Sequence, residues 1–339
     1  MYDCITAGKK SQEDRGQDGQ PGVKASDDIL AFAFSSSGGY FALTDDNKRL
    51  VLFRTKPCWE CLSVRSVVRR CTSLIITAAE DKILVADKSG DVYSYSIIEP
   101  QKAGKVELGH LSLLLDVALS PDDQYILTAD RDEKIRVGLT RAPHNIVSFC
   151  LGHREFVSRI FVIPNYPDLM LSASGKYAVS RIAYCCQGNY IAILCDCIPT
   201  VYIFQFDAAT QQLNYRHQIS LKHKGWDIAF EETGGLWILQ EDKAASLLLY
   251  RPVDGHWQPV ADDEGLMKMS KYLHDNWIMF EGSVGTESCY SSLYKASFDN
   301  MAIYLQKKEE RLQQQKKKRK ELQHESNRQT KKTRTRESS

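Results

Sequence analysis

Short apolar runs that each end in a polar turn recur at a near-constant spacing along the first half of the chain. The turns follow an apolar residue and a small residue, which is Thr44, Ala86, Thr128 or Ser172, at intervals of 42, 42 and 44 residues. Strand-like runs such as "ILAFAF" at residues 29–34 lie within these units, and no helical spacing of apolar positions is sustained between Ile29 and the C-terminal tail. The pattern therefore predicts a chain of short β-strands.

A repeat of 42 to 44 residues with several strands per unit predicts an all-β fold, the WD-repeat β-propeller. Two "GH" dipeptides, at residues 109–110 and 152–153, lie 43 residues apart. In WD repeats the histidine of this dipeptide, a Ser or Thr of the second strand and an Asp of the next turn form a hydrogen-bonded structural network. The residues that resemble these positions are His110, Thr128 and Asp132 in one unit and His153 and Ser172 in the next.

The repeat breaks near residue 175. Ser172 and Cys195 are only 23 residues apart, so roughly half a blade is missing between them. At the N-terminus, "MYDC" resembles the end of an outer strand, which predicts an incomplete first blade. The predicted domains are residues 1–28, a partial outer strand and a mobile polar loop; residues 29–300, the propeller; and residues 301–339, a basic helix and a disordered tail.

Composition places the 339-residue chain among soluble globular proteins, with 43% apolar and 10% aromatic residues. No stretch approaches the roughly 18 uninterrupted apolar residues of a membrane span, and the first ten residues lack the apolar segment of a secretory signal. We therefore expect the ten cysteines to be thiols. The pairs Cys58 with Cys61 and Cys195 with Cys197 lack the second pair that a structural zinc site needs, so we expect no metal and no cofactor.

Charge is divided between the body and the tail. Residues 307–339 contain 13 Lys or Arg and 5 Asp or Glu, whereas residues 1–306 contain 31 and 38. The central basic cluster of the tail consists of Lys316, Lys317, Lys318, Arg319 and Lys320. Three interpretations of this cluster stay open: a nuclear-import signal, a contact with RNA phosphates, and a solvated charge run. The sequence has no GxGxxG, GxSxG, HExxH or Walker motif, so we expect no catalytic residues.

Longer strings carry a more specific resemblance than the repeat does. The stretches "ILVADKSGDVYS", "LGHLSLLLDVALSPDD" and "ILTADRDEKIRV" are similar to the WD-repeat non-catalytic subunit of the tRNA (guanine-N7)-methyltransferase, and the likeness extends from about residue 2 to residue 312. That family has a propeller of about seven blades, with a strand region ahead of Tyr2 and a full blade segment between Gly175 and Lys176 that this sequence lacks. The chain therefore resembles a shortened form.

The resemblance implies a scaffold that performs no chemistry. In the family a separate catalytic subunit binds S-adenosylmethionine and methylates guanine N7 in the variable loop of tRNA, and the propeller binds beside it in a heterodimer. The implied partners are thus the catalytic subunit and, through the complex, tRNA; no membrane is implied. Arg136 resembles the basic residue that pairs with an acidic side chain of the catalytic subunit, and we expect Lys88, Arg131 and Lys134 to lie on the same partner-binding surface.

A second class of function stays open from the fold alone. A generic WD-repeat interaction platform, such as a ubiquitin-ligase substrate receptor or a chromatin adaptor, would show the same repeat, because one fold hosts many functions. From the basic tail we expect a nuclear location, with a cytoplasmic one left open.

Overall fold

The computed structural model of the protein describes residues 28–175, 178–280, 290–294, 305–311 and 313. The chain forms two compact units, Met1–Leu293 and Tyr294–Ser339. Strands dominate the first unit, and in the second unit residues 305–311 are helical, within the helix that the sequence predicts. The predicted outer strand and loop at residues 1–27 and the basic cluster at residues 316–320 lie outside the described residues.

Three four-stranded antiparallel sheets, here called blades 1 to 3, come first along the chain. Blade 1 contains β1 (Ile29–Phe34), β2 (Tyr40–Asp45), β3 (Arg49–Arg54) and β4 (Glu60–Ser66). Blade 2 contains β5 (Cys71–Ile76), β6 (Lys82–Asp87), β7 (Asp91–Ser96) and β8 (Lys105–Gly109). Blade 3 contains β9 (Leu114–Leu119), β10 (Tyr125–Asp130), β11 (Ile135–Leu139) and β12 (Ala142–Cys150).

A two-stranded sheet and two further four-stranded sheets follow. Blade 4 contains β13 (Val157–Ile163) and β14 (Tyr166–Ser174). Blade 5 contains β15 (Val179–Cys185), β16 (Tyr190–Cys195), β17 (Thr200–Asp207) and β18 (Gln212–Ser220). Blade 6 contains β19 (Gly225–Phe230), β20 (Leu236–Gln240), β21 (Leu247–Val253) and β22 (His256–Val260), and α1 (Glu264–Asp275) comes after it.

The blades are arranged as in a propeller. The first strand of each blade contacts the first strand of the next blade, from β1 through to β19. In β6, Ile83 and Val85 pack towards blade 1, whereas Leu84 and Ala86 pack towards blade 3. Because strand side chains alternate between the two faces of a sheet, a blade that is covered on both sides needs a continuous apolar run. The predicted WD-repeat propeller is confirmed.

Blade 4 is the broken blade that the sequence predicts near residue 175. The loops that follow the second and fourth strands of the blades lie on one face of the propeller, here called the upper face; the other loops lie on the lower face. Since β14 ends at the upper face, where β15 must begin, residues 175–178 are enough to join them. The missing hairpin therefore leaves the path of the chain unchanged.

Polar side chains of the first strands join blades 2 to 5. The Ser73 hydroxyl donates to Asp116 Oδ1 at 2.7 Å, and Arg159 Nη1 donates to the same oxygen at 3.3 Å. Arg159 Nε also donates to the Ser180 carbonyl at 2.8 Å. Because these bonds run between successive blades, the two-stranded blade 4 stays fixed to both of its neighbours.

On the lower face, an acidic side chain of one blade binds the loop of the preceding blade. Asp123 accepts from the N–H groups of Ala78 and Ala79 at 3.0 and 2.9 Å, and Glu80 accepts from the N–H and hydroxyl of Ser37 at 2.8 and 2.9 Å. Burial alone would raise the pKa of Glu80, but the hydrogen bonds from Ser37 outweigh it and hold the pKa below its usual value. These contacts connect blades 1, 2 and 3.

The apolar pattern predicts no helix before the tail, and α1 shows that this prediction is wrong. Asp263 caps α1, because its side chain accepts from the Leu266 N–H at 3.0 Å. Leu266 is buried and Leu273, seven residues later, is half-buried, so the two leucines mark one face of the helix, whereas Met267 and Met269 are exposed. Among the described residues, no helix combines the length and the apolar character needed to cross a membrane.

Candidate partner-binding surface

A buried hydrogen-bonded network lies under the upper turn of blade 3. His110 Nδ1 is 3.1 Å from Asp130 Oδ2, and His110 Nε2 is 2.7 Å from Thr128 Oγ1. Because an ionised carboxylate only accepts, Nδ1 donates to Asp130, and in the neutral ring Nε2 accepts from Thr128. Burial alone would raise the pKa of Asp130, but the bonds from His110 and the Lys134 N–H outweigh it and hold the pKa below its usual value.

The sequence assigned the acidic position of this network to Asp132, and the structure gives it to Asp130 instead. Asp130 ends β10 and is buried, whereas Asp132 lies in the turn and is half-buried. The Asp132 carbonyl accepts from Lys134 Nζ at 3.3 Å. The correction follows from the position of Asp130 at the end of β10, from which its carboxylate reaches His110.

The structure also brings together His153 and Ser172, as the sequence predicts for the next unit. His153 Nε2 is 2.8 Å from Ser172 Oγ, and Nδ1 is 2.6 Å from Ser174 Oγ. Burial lowers the pKa of His153. Ser174, which sequence reasoning missed, occupies the position two residues after Ser172 that Asp130 occupies two residues after Thr128. A hydroxyl there leaves this network without a carboxylate.

Arg136 lies beside the first network and is buried. Only 6% of the Arg136 surface is exposed, and Arg136 pairs in register with Thr128 on the neighbouring strand. Its Nη1 donates to the Gly109 carbonyl at 3.2 Å, and its Nη2 donates to the carbonyls of Pro143 and His144 at 2.7 and 3.1 Å. Burial lowers the pKa of this guanidinium. In the free chain three backbone carbonyls of the protein's own blades thus hold this guanidinium, and the expected pairing of Arg136 with the catalytic subunit stays a prediction.

The three other predicted partner-binding residues occupy upper turns. Lys134 is exposed in the turn of blade 3, and Lys88 is exposed in the equivalent turn of blade 2. Arg131 is half-buried and donates from Nε to the Leu293 carbonyl at 3.3 Å. Two exposed ammonium groups therefore lie on the upper face, whereas Arg131 is committed to an internal contact.

Sequence reasoning missed the outer edge of blade 3. β12 is nine residues long and pairs with β11, and the side chains of Ile146, Val147 and Phe149 are 48%, 52% and 42% exposed. Monomeric proteins seldom place several large apolar side chains together on an edge strand, because such an edge invites association. The apolar letters of "NIVSF" were the available signal. We call Lys134, Ile146, Val147 and Phe149 the blade-3 surface.

Comparison with known proteins places this propeller in a family. Residues 5–107 and 99–179 match the family described as "tRNA methyltransferase TRM82 WD40 domain". The Mus musculus protein named "tRNA (guanine-N(7)-)-methyltransferase non-catalytic subunit WDR4" is 54% identical, with 91% of this chain and 83% of the relative covered. The chain belongs to this family of non-catalytic subunits. The Homo sapiens relative of the same name is 56% identical over 91% of this chain and 82% of its own length.

The similarity to the family of non-catalytic subunits extends beyond mammals. The Danio rerio relative "tRNA (guanine-N(7)-)-methyltransferase non-catalytic subunit wdr4" is 48% identical over 92% of this chain and 85% of its own length. Since members of the family are non-catalytic by name, this protein is not an enzyme. Within the described residues, no group of three or more His, Cys, Asp or Glu could hold a metal ion.

Proposed function

We propose that this protein is the scaffold subunit that binds the catalytic subunit of the tRNA (guanine-N7)-methyltransferase and holds it in its active arrangement. The observation that carries the proposal is the blade-3 surface, in which exposed apolar side chains lie on an edge strand and an exposed lysine directly precedes the strand that pairs with it. Interfaces between proteins combine an apolar centre with a polar rim in this way. Family membership favours this function over a generic interaction platform.

The blade-3 surface has a rigid support. Arg136 binds the carbonyls of Pro143 and His144, and so it fixes the beginning of β12 to β11. Its bond to the Gly109 carbonyl fixes the same side chain to the end of β8 in blade 2. A surface that is ordered before binding loses little conformational entropy when the partner binds. Arg136 is thus a positioning residue, and Lys134 offers the charge that an acidic side chain of the partner would meet.

The test compares two exposed apolar residues on outer strands. Val147→Asp alters the blade-3 surface, and Leu213→Asp places the same charge on the outer strand of blade 5, where Leu213 is 38% exposed. We expect Val147→Asp to weaken binding to the catalytic subunit by about 2 kcal/mol, roughly thirty-fold in Kd. Leu213→Asp should bind like the unaltered chain. Calorimetric titration measures both, and equal affinities for the two variants would refute the proposed surface.

Nuclear location stays a prediction, since the cluster at residues 316–320 lies outside the described residues. We propose that this cluster directs nuclear import. Imaging of the tagged protein with Lys316–Lys320 replaced by glutamine checks it, and an unchanged distribution would contradict the import role.

A further inference from the structure

The two faces of the propeller differ in charge. Within the described residues, the upper loops carry ten Lys or Arg and nine Asp or Glu, including the two Asp of residues 261–263 after β22, whereas the lower loops carry three and eight. The acidic excess of the body is therefore concentrated on the lower face. A surface with one sign of charge attracts ligands of the opposite sign and orients their approach. A polyanion would meet the upper face first.

The upper face contains a cavity between blades 5 and 6. Its volume is about 320 Å³, and it is lined by Asp196, Cys197, Ile198, Pro199, Lys222, His223 and Lys224. Cavities that bind small groups begin at about this size. The cavity belongs to two upper loops, the one between β16 and β17 and the one between β18 and β19.

The basic loop of this cavity is fixed at both ends by the backbone. The Leu221 N–H donates to the Pro199 carbonyl at 2.8 Å, and the Glu241 N–H donates to the Lys224 carbonyl at 2.9 Å. The backbone of Lys222 and His223, which lie between these bonds, is therefore held beside the cavity. An ordered loop loses little backbone freedom when an anion binds.

The charges around the cavity are only partly balanced. Lys224 Nζ is 3.5 Å from Asp196 Oδ1, and His223 Nε2 is 3.6 Å from Asp242 Oδ2. Lys222 is exposed, and no carboxylate among the described residues lies within ion-pair distance of it. Lys222 thus presents an uncompensated ammonium group at the cavity, which Lys224 also lines.

We propose that Lys222 and Lys224 bind a backbone phosphate of tRNA at this cavity. The inference rests on the proposed function, which brings a tRNA to the complex. Phosphate contacts need charge and reach, and they carry no base sequence. The walls formed by Cys197, Ile198 and Pro199 offer no aromatic ring on which a base could stack, so base recognition is not expected here. An acidic side chain of a protein would need only one matching cation, whereas the repeated phosphates of an RNA backbone also reach cations on neighbouring upper loops.

The test uses the reconstituted complex of this chain with the catalytic subunit. The variant Lys222→Ala/Lys224→Ala removes the two lysines that line the cavity, and the control Lys56→Ala/Lys102→Ala removes two lysines from lower loops. Affinity for tRNA is measured from about 50 to 200 mM salt. We expect the slope of log K against log salt to fall by about 0.7 to 0.9 for each phosphate that the variant no longer binds. The control should keep the slope of the unaltered complex.

Each result decides between the proposals. An unchanged slope in the upper-face variant overturns the phosphate site, provided that both subunits still co-elute. If this variant loses the catalytic subunit instead, the loop binds protein and the inference is wrong. If the unaltered subunits do not co-elute, the proposed function fails, and the salt slope of tRNA binding by the chain alone then decides the inference. Lys224 is half-buried and pairs with Asp196, whereas Lys222 is exposed, so the thermal melting of the single variant Lys222→Ala should match that of the control.

Discussion

Replacing Arg136 by leucine tests whether this side chain supports the blade-3 surface or contacts the partner directly. The change removes the guanidinium from the carbonyls of Gly109, Pro143 and His144. Hydrogen bonds to charged groups contribute about 1.5 to 3 kcal/mol each, but the three bonds share one guanidinium and do not add in full. Relief of the buried charge together with leucine packing returns about 1 to 2 kcal/mol. We expect the free energy of unfolding to fall by about 3 kcal/mol.

The location of the damage distinguishes the two roles. Hydrogen exchange should accelerate in β12 and at the end of β8, because the Arg136 bonds join these strands, and not in blades 5 and 6. Arg136→Lys keeps the charge without the planar fork and should lie between the leucine variant and the unaltered chain in stability. Urea titration with amide exchange of the free chain measures both effects. A leucine variant that keeps its stability and its β12 protection, yet loses the catalytic subunit, would refute the positioning role.

Two further changes test other parts of the propeller. Asp123→Ala removes the acceptor for two N–H groups of blade 2 at a residue with φ of 55°, so the free energy of unfolding in urea should fall by about 1 to 3 kcal/mol. Asp123→Asn should lower it less, because asparagine tolerates this backbone conformation. Equal losses would contradict this explanation. Because burial lowers the pKa of His153, its stabilising contribution is complete above about pH 6.5 and is lost as pH falls below that value towards the depressed pKa. Between about pH 7.5 and 5, the urea midpoint of His153→Asn should therefore change less with pH than that of the control His274→Asn, which replaces an exposed histidine. Parallel pH profiles of the two variants would contradict this role of His153.

The repeat made the blades predictable, because each blade must bury both faces and so returns the same apolar pattern. The residue that completes the His110 network could have been found in the same way. Asp45, Asp87 and Asp130 recur at intervals of 42 and 43 residues, and each accepts from the N–H group four residues later. Comparing these strand ends, rather than the charged turn alone, selects Asp130.

The burial of Arg136 and the existence of α1 were not predictable by the same reasoning. The sequence around an arginine between Ile135 and Val137 is the same whether its guanidinium meets solvent or backbone carbonyls. The carbonyls belong to other strands, at the end of β8 and the start of β12. The helix α1 lies outside the repeat, and its apolar residues Leu266, Met269 and Leu273 follow helical spacing over a single stretch of twelve residues. Tertiary contacts decide the burial of Arg136, whereas a search for helical spacing in this stretch would have found α1.

The short connection between β14 and β15 shows how a propeller can change the number of strands in a blade without changing the path of the chain. In each blade the first strand begins and the second strand ends at the upper face. The third and fourth strands can therefore be lost together without redirecting the chain, whereas loss of a single strand would leave the chain at the opposite face. Insertions and deletions in such proteins should therefore come in pairs of strands. Where a pair is gone, the free backbone of β14 becomes a place to which an extended segment could add.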